Sequence, residues 1–309
     1  MRRTLNNFLG ELRIGLVDIG ALGGLEPRWH SIRRNIKAFL FEPDERSNQE
    51  LKSADYVEEI FPVGLGASEM NVPLNLCRKP GVSSLLPPCH SFLLRFQDAK
   101  RFDVIAQETI KLSTLDKCLM KRWSDCDFIK IDTQGTELDI LRGGTELLDG
   151  PLIGFEIEVE FVRLYEEQAL FGDICSYLEG KGYEFFDFVN ICRWERRRFT
   201  LFGQAVFGDG LFLRTPEIFA GMLGNLPIDI ARSKAKKYIA IAALYDHIDL
   251  LPVCMTCFGH VLNVKDMKDL KALHAVLLKR RRLTSFILRI VSRLLLRPFG
   301  IRAIGMQIS

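Results

Sequence analysis

No stretch of this chain reaches the roughly 18 uninterrupted apolar residues a membrane-spanning helix needs, and the opening MRRTLNNFLGEL has no apolar core long enough for a secretory signal. Cysteine is present but unframed: Cys77, Cys89, Cys118, Cys126, Cys175 and Cys192 are scattered, which leads us to expect a reducing, cytoplasmic compartment. Only Cys254 and Cys257 have metal-ligand spacing, and no second CxxC or HxxxH pair accompanies them, although His260 and His274 are near in sequence. A structural zinc site takes four ligands, so we expect no metal and read the pair as small thiols on a helix. No internal repeat or low-complexity tract is evident. Acidic residues are missing from Lys279 to Ser309, where Lys279, Arg280, Arg281, Arg282, Arg289, Arg293, Arg297 and Arg302 all fall.

With those eight set aside, the first 278 residues hold 34 basic against 39 acidic side chains, a mildly acidic body with a basic tail. At 309 residues, 48% hydrophobic and 26% charged, the chain can bury one large core and carry an appendage. Strand-like apolar runs lie at Ile14 to Val17, Ala38 to Phe41, Val57 to Val63, Phe128 to Ile131, Leu152 to Val159, Tyr183 to Phe188 and Leu211 to Leu213, with helical patterns between several of them. That alternation predicts an α/β fold with a doubly wound, mostly parallel sheet covered on both faces. We place one domain at 1–215, with an insertion over about 64–115 where Pro73, Pro80, Pro87 and Pro88 forbid a long helix and favour short extended pieces over the crevice. A helical C-terminal region with a basic amphipathic tail is expected over 216–309.

Two apolar runs end in an acid followed by glycine. Ile14 to Val17 leads into Asp18 and then Gly20, Gly23 and Gly24, and Phe128 to Ile131 leads into Asp132 and a turn through Gly135. In an open α/β sheet ligands sit at the carboxyl ends of parallel strands. Glycines there let backbone N–H groups approach a ligand that a side chain would exclude. Glu42 ends the next apolar run, where a carboxylate accepts ribose hydroxyls. Asp18, Gly20, Gly23 and Glu42 therefore imply a nucleoside cofactor. A diphosphate would be repelled by Asp18, whereas the ammonium and sulfonium groups of S-adenosylmethionine would be welcomed. An NAD(P)-dependent oxidoreductase is thus the disfavoured alternative.

DIGALGGLEPRW, FEPD, VSSLL, TLD, DFIKIDTQGTELDILRGG and FEIEVEF occur in the order and spacing of FkbM-type methyltransferases, and the chain resembles that family from about Ile14 to Arg214. The resemblance implies a class I, Rossmann-like, S-adenosylmethionine-dependent enzyme, mostly O-methylating hydroxyls of sugars, glycans or secondary metabolites. It also implies that Asp18, Gly20 and Gly23 form the cofactor loop, that Glu42 is the ribose acid, and that Asp132 is the acid after the fourth strand.

Methyl transfer to a hydroxyl needs alignment and a proton acceptor. The candidates are Asp132, with an ion pair to Lys130 as its competing role, and Glu156 and Glu158. The last two share with Glu160 one face of a strand that a parallel sheet would normally keep apolar on both faces. Those glutamates could instead pair with Lys130, Arg142 or Arg163. Glu137, in a first helical turn, suits the macrodipole alone. Ser83, Ser84 and His90 are weaker candidates. The expected partner is a small-molecule or glycan acceptor. Over 279–302, apolar and arginine-rich sides of a helix would also suit an anionic membrane surface. Nucleic acid is not expected, because no aromatic residues interleave with the arginines. A third reading is a non-catalytic cofactor-binding module tethered through that tail.

Overall fold

Near-continuous runs such as Ile14–Ile19 and Gly154–Glu160 must lose water on both sides, and the computed structural model buries every residue of both. It describes residues 2–21, 24–43, 54–197 and 203–291. In chain order the strands are β1 (Ile14–Ile19), β2 (Ile36–Phe41), β3 (Val57–Phe61), β4 (Gly64–Leu65), β5 (Met70–Cys77), β6 (Val104–Ser113), β7 (Phe128–Ile131), β8 (Gly154–Glu160), β9 (Glu184–Trp194) and β10 (Gln204–Leu213). Seven form one sheet in the order β3-β2-β1-β7-β8-β10-β9. Adjacent strands are parallel from β3 to β8, and β10 alone runs against its neighbours. The order reverses beside β1, which puts a crevice between the carboxyl ends of β1 and β7.

Both faces are covered. Leu16, Phe128, Leu211 and Leu213 pack under the N-terminal helix Arg2–Leu9 and the C-terminal helices Pro216–Leu223, Ile228–Leu244, Leu250–Cys257 and Val264–Val291. Val17, Ile129, Phe155 and Ile157 pack beneath helices that include Glu137–Arg142 and Phe171–Glu179. The C-terminal helices are pinned to the sheet's other end by a buried charge cluster. Asp127 is fully buried, with Lys234 and Lys237 ammoniums each at 2.8 Å from its carboxylate. The Gly15 N–H donates to the same group at 2.7 Å.

The extended pieces expected in the insertion pair into a three-stranded sheet, β4-β6-β5. Pro73 is tolerated because β5 is an edge strand of this sheet, its outer side bridged at Asn75 to Ser84. This sheet has its own apolar cluster, in which Val82, Phe92 and Phe102 pack on Leu164 and Tyr165 of the main body. Among the described residues no helix is long and apolar enough to cross a membrane. Cys254 is buried and Cys257 partly so, both as free thiols, and no metal-ligating cluster occurs among the described residues.

Candidate active site

The polar residues of the site stand where strands end. Asp18 lies inside β1, opposite Leu40 of β2 and Lys130 of β7, not in the turn after it. The turn follows at Gly20, whose N–H donates to the Phe41 carbonyl at 3.0 Å, while the Asp132 N–H donates to the Ile19 carbonyl at 3.0 Å. Gly20 has φ +80°, and a Cβ there would lie 2.0 Å from the Asp132 carbonyl oxygen. Glycine is required so that the two strand-end turns can touch. Between this turn and β2 the described residues hold a 3-10 segment, Trp29–Asn35, kinked at Ile32. Among the described residues no α-helix lies between β1 and β2. Gly23 lies outside the described residues.

A cleft of about 720 Å³ opens there. Its floor is Asp18, Gly20, Glu42, Lys130 and Asp132, and the insertion roofs it with Leu74, Leu76, Ser83, Ser84, Ile110 and Leu112. Phe41, Val63 and Leu65 supply an apolar wall, with Phe41 stacked on Phe61 at 4.6 Å. The charge is one-sided: Asp18, Glu26, Glu42, Glu108 and Asp132 line the cleft against Lys130 as its only cation among the described residues.

Lys130 sits between acids, 3.3 Å from Glu26 and 3.9 Å from each of Asp18 and Asp132. Burial disfavours its charge, but Asp18, Asp132, Glu26 and Glu156 outweigh burial and hold its pKa above the usual lysine value. Asp18 is pushed up to about 6 by burial, with Lys130 opposing and Glu26, Asp132 and Glu42 reinforcing the rise. Its Oδ1 is buried without a hydrogen-bond partner, which is an unusual state for a carboxylate oxygen.

Beyond Asp132 the turn is held by Gln134, a non-glycine residue at φ +61°. Its amide N–H group donates to Asp132 at 3.1 Å and Glu158 at 2.8 Å. Its amide oxygen accepts from the Tyr165 hydroxyl at 3.1 Å, and its backbone carbonyl accepts from the Ser84 hydroxyl at 2.7 Å. A left-handed backbone outside glycine costs energy and is kept where surrounding contacts over-determine it. Glu137 accepts from the Thr133 N–H, the Thr133 hydroxyl and the Gly135 N–H, so it ties the turn together from below.

The structure brings Asp18, Gly20, Glu42 and Asp132 to one cleft. Glu156 and Glu158 are buried and do not line it. Glu158 reaches Asp132 only through Gln134, and burial raises its pKa well above the usual glutamate value. Glu156 accepts a short hydrogen bond from Tyr245 of the C-terminal region and is pushed up to about 7, chiefly by burial. Neither shows a salt bridge to Lys130, Arg142 or Arg163 among the described residues, although the nearby Lys130 charge is felt at both. His90 is exposed and outside the cleft, while Ser83 and Ser84 both line it.

Sequence reasoning missed Glu26, Tyr165, Tyr245 and Asp209. Asp209 sits on β10 opposite Glu158 and is pushed up to about 6, first by burial and then by Asp132 and Glu26. Glu26 follows the glycine turn closely enough to have been considered. For the others no local signal exists, because their roles come from strand register and long-range contacts.

A mostly parallel seven-stranded sheet in this order, with one reversed strand and a nucleoside-sized cleft at the end of β1, defines the Rossmann-like fold of class I methyltransferases. The profile of the methyltransferase FkbM domain matches residues 18–185, more than half of the chain, and the protein belongs to that family. The solved structure of methyltransferase FkbM from Methylobacillus flagellatus KT aligns over 66% of this chain and 45% of its own, with 15% identity and a TM-score of 0.37. The aligned region thus spans less than half of that protein's length. TYW2 from M. jannaschii, solved in complex with AdoMet, aligns over 69% of this chain and 74% of its own, with 13% identity and a TM-score of 0.27. No curated protein sequence matches the chain.

Proposed function

We propose that this protein is an S-adenosylmethionine-dependent methyltransferase that methylates a hydroxyl of a sugar, glycan or secondary metabolite. The observation that carries the reading is the cleft's charge: among the described residues five carboxylates and one lysine line a nucleoside-sized space with an apolar wall. A diphosphate would be repelled by those acids. A ligand with an ammonium and a sulfonium would meet complementary charge.

The residues fit that donor. Asp18 offers a buried oxygen with no hydrogen-bond partner to the donor's ammonium and sulfonium charges, Glu42 stands at the end of β2 for the ribose hydroxyls, and Phe41, Val63 and Leu65 give the base an apolar wall. When bound, S-adenosylmethionine supplies an electrophilic methyl group. Asp132 is the carboxylate placed to orient the acceptor hydroxyl and take its proton as the new carbon–oxygen bond forms. It lines the cleft, its side chain is 37% exposed, and Gln134 holds one of its oxygens. Glu158 supports that placement through the same amide. The insertion roofs the cleft and limits water at the reacting atoms.

Calorimetry with S-adenosylmethionine and with NADH tests this reading. Donor binding without NADH binding supports it; tight NADH binding without donor binding overturns it. Donor binding with no turnover on any extracted glycan or metabolite favours the non-catalytic module. For the basic segment we propose contact with an anionic membrane surface: after Leu277 the long C-terminal helix carries exposed Lys279, Arg280, Arg281 and Arg282. Residues 292–309 lie outside the described residues.

A further inference from the structure

Transfer of a methyl group from a sulfonium donor leaves a thioether. The donor carries one more positive charge than this spent product, while the two share base, ribose and amino-acid tail. A site that recognised only the shared parts would hold both equally.

The cleft is not neutral toward that difference. Asp18, Glu26 and Asp132 surround Lys130, so one ammonium serves three acids at 3.3–3.9 Å. One oxygen of Asp18, a residue 3% exposed, has no hydrogen-bond partner although the residue lines the cleft. Lys130 is itself held charged by its neighbours and has no further charge to give. A buried carboxylate whose one cation is shared with two other acids attracts a further cation more strongly than it would in bulk water. Resting on the methyl-donor reading above, we propose that Asp18 and the acids around Lys130 make this cleft select the cationic donor over its neutral product by charge, so that the spent product leaves readily.

A linked consequence follows for protons. Lys130, Glu26, Asp132 and Glu42 are the charged groups that face Asp18, and together with burial they leave it near half-protonated at about pH 6. A cation arriving beside it favours the ionised form, so donor binding at that pH releases a proton, whereas product binding releases less.

The test uses the intact protein, calorimetry and three ligands: S-adenosylmethionine, S-adenosylhomocysteine, and sinefungin, which carries an ammonium in place of the methylsulfonium. The expected order places donor and sinefungin together, each at least about tenfold tighter than the thioether, or about 1.4 kcal/mol. Titration at about pH 6 in two buffers of different ionisation enthalpy should show proton release with the donor. Asp18→Asn should bring all three ligands to within about threefold of one another and abolish the release. Asp132→Asn, at a more exposed position, should lower the preference in a protein that keeps its fold even if the first variant does not. Thioether binding as tight as the donor, or sinefungin ranking with the thioether, would overturn the inference while leaving the donor reading intact. Binding of none of the three would remove the donor reading and this inference with it.

Discussion

Asp127→Asn should be among the most destabilising isosteric changes in this protein. The residue has no exposed surface and holds Lys234, 3% exposed, and Lys237, 12% exposed, each at 2.8 Å. At an effective dielectric of about 20, each pair is worth roughly 6 kcal/mol of attraction before desolvation is charged against it. The asparagine removes both attractions and strands the Lys234 ammonium between the sheet and the helix Ile228–Leu244. Breaking such a buried cluster costs about 3–5 kcal/mol, a fall in Tm of roughly 6–20 °C at this chain size. Burial pushes the Asp127 carboxyl up, but the two lysines outweigh it and hold it below the usual aspartate value. Its stabilisation is therefore present above the unfolded-state pKa and is lost as pH falls through the lower folded-state value. Denaturant melts from pH 7 down to pH 3 should show the variant losing stability at neutral pH and responding less to acid. Adding Lys234→Met should recover part of the loss by removing the stranded charge. A cost under about 1 kcal/mol at pH 7, or no recovery in the double variant, would refute the reasoning.

Gly20→Ala should cost more than about 2 kcal/mol, because φ +80° and a Cβ 2.0 Å from the Asp132 carbonyl must both be accommodated; thermal melts check it. Gln134→Leu removes the amide joining Asp132 to Glu158 and should lower turnover roughly a hundredfold at saturating donor, with donor affinity changed by less than about threefold. Tyr245→Phe removes the hydrogen bond that favours the ionised form of Glu156, and a carboxyl-resolved NMR titration should find the Glu156 pKa further above the usual glutamate value than in the unsubstituted protein. Replacing Lys279, Arg280, Arg281 and Arg282 by Gln should weaken sedimentation with anionic vesicles by about 1 kcal/mol for each charge near the surface, with neutral vesicles unaffected.

Much of the frame was legible in the sequence because burial leaves a strong trace. β7 occupies the four residues of the apolar run Phe128–Ile131. The reversed strand β10 extends N-terminally well past the run at Leu211–Leu213, since Gly208, Asp209 and Gly210 interrupt the hydrophobic signal while the backbone pairing with β8 and β9 continues. The small sheet of the insertion was visible only as proline-bounded fragments, because its outer face is exposed and its strands pair at long range. At the site, the strand-end acids and Gly20 could be found because a turn chemistry and a sheet edge name them locally. The bond between Tyr245 and Glu156 joins residues 89 positions apart, and nothing near either residue announces it. The three glutamates of β8 illustrate both limits. Their shared face was readable from alternation, but whether that face meets the cleft or the C-terminal helices was decided by tertiary packing.

Methyl transfer from this cleft to a hydroxyl can be measured directly. Incubation of the protein with S-adenosylmethionine labelled in its methyl group and a cell extract measures it, with identification of the labelled product. Label should appear in an ether linkage stable to mild alkali, and most of it should be lost in the Asp132→Asn variant assayed at saturating donor with the fold retained. Donor bound without any labelled product, or undiminished transfer by that variant, would contradict it.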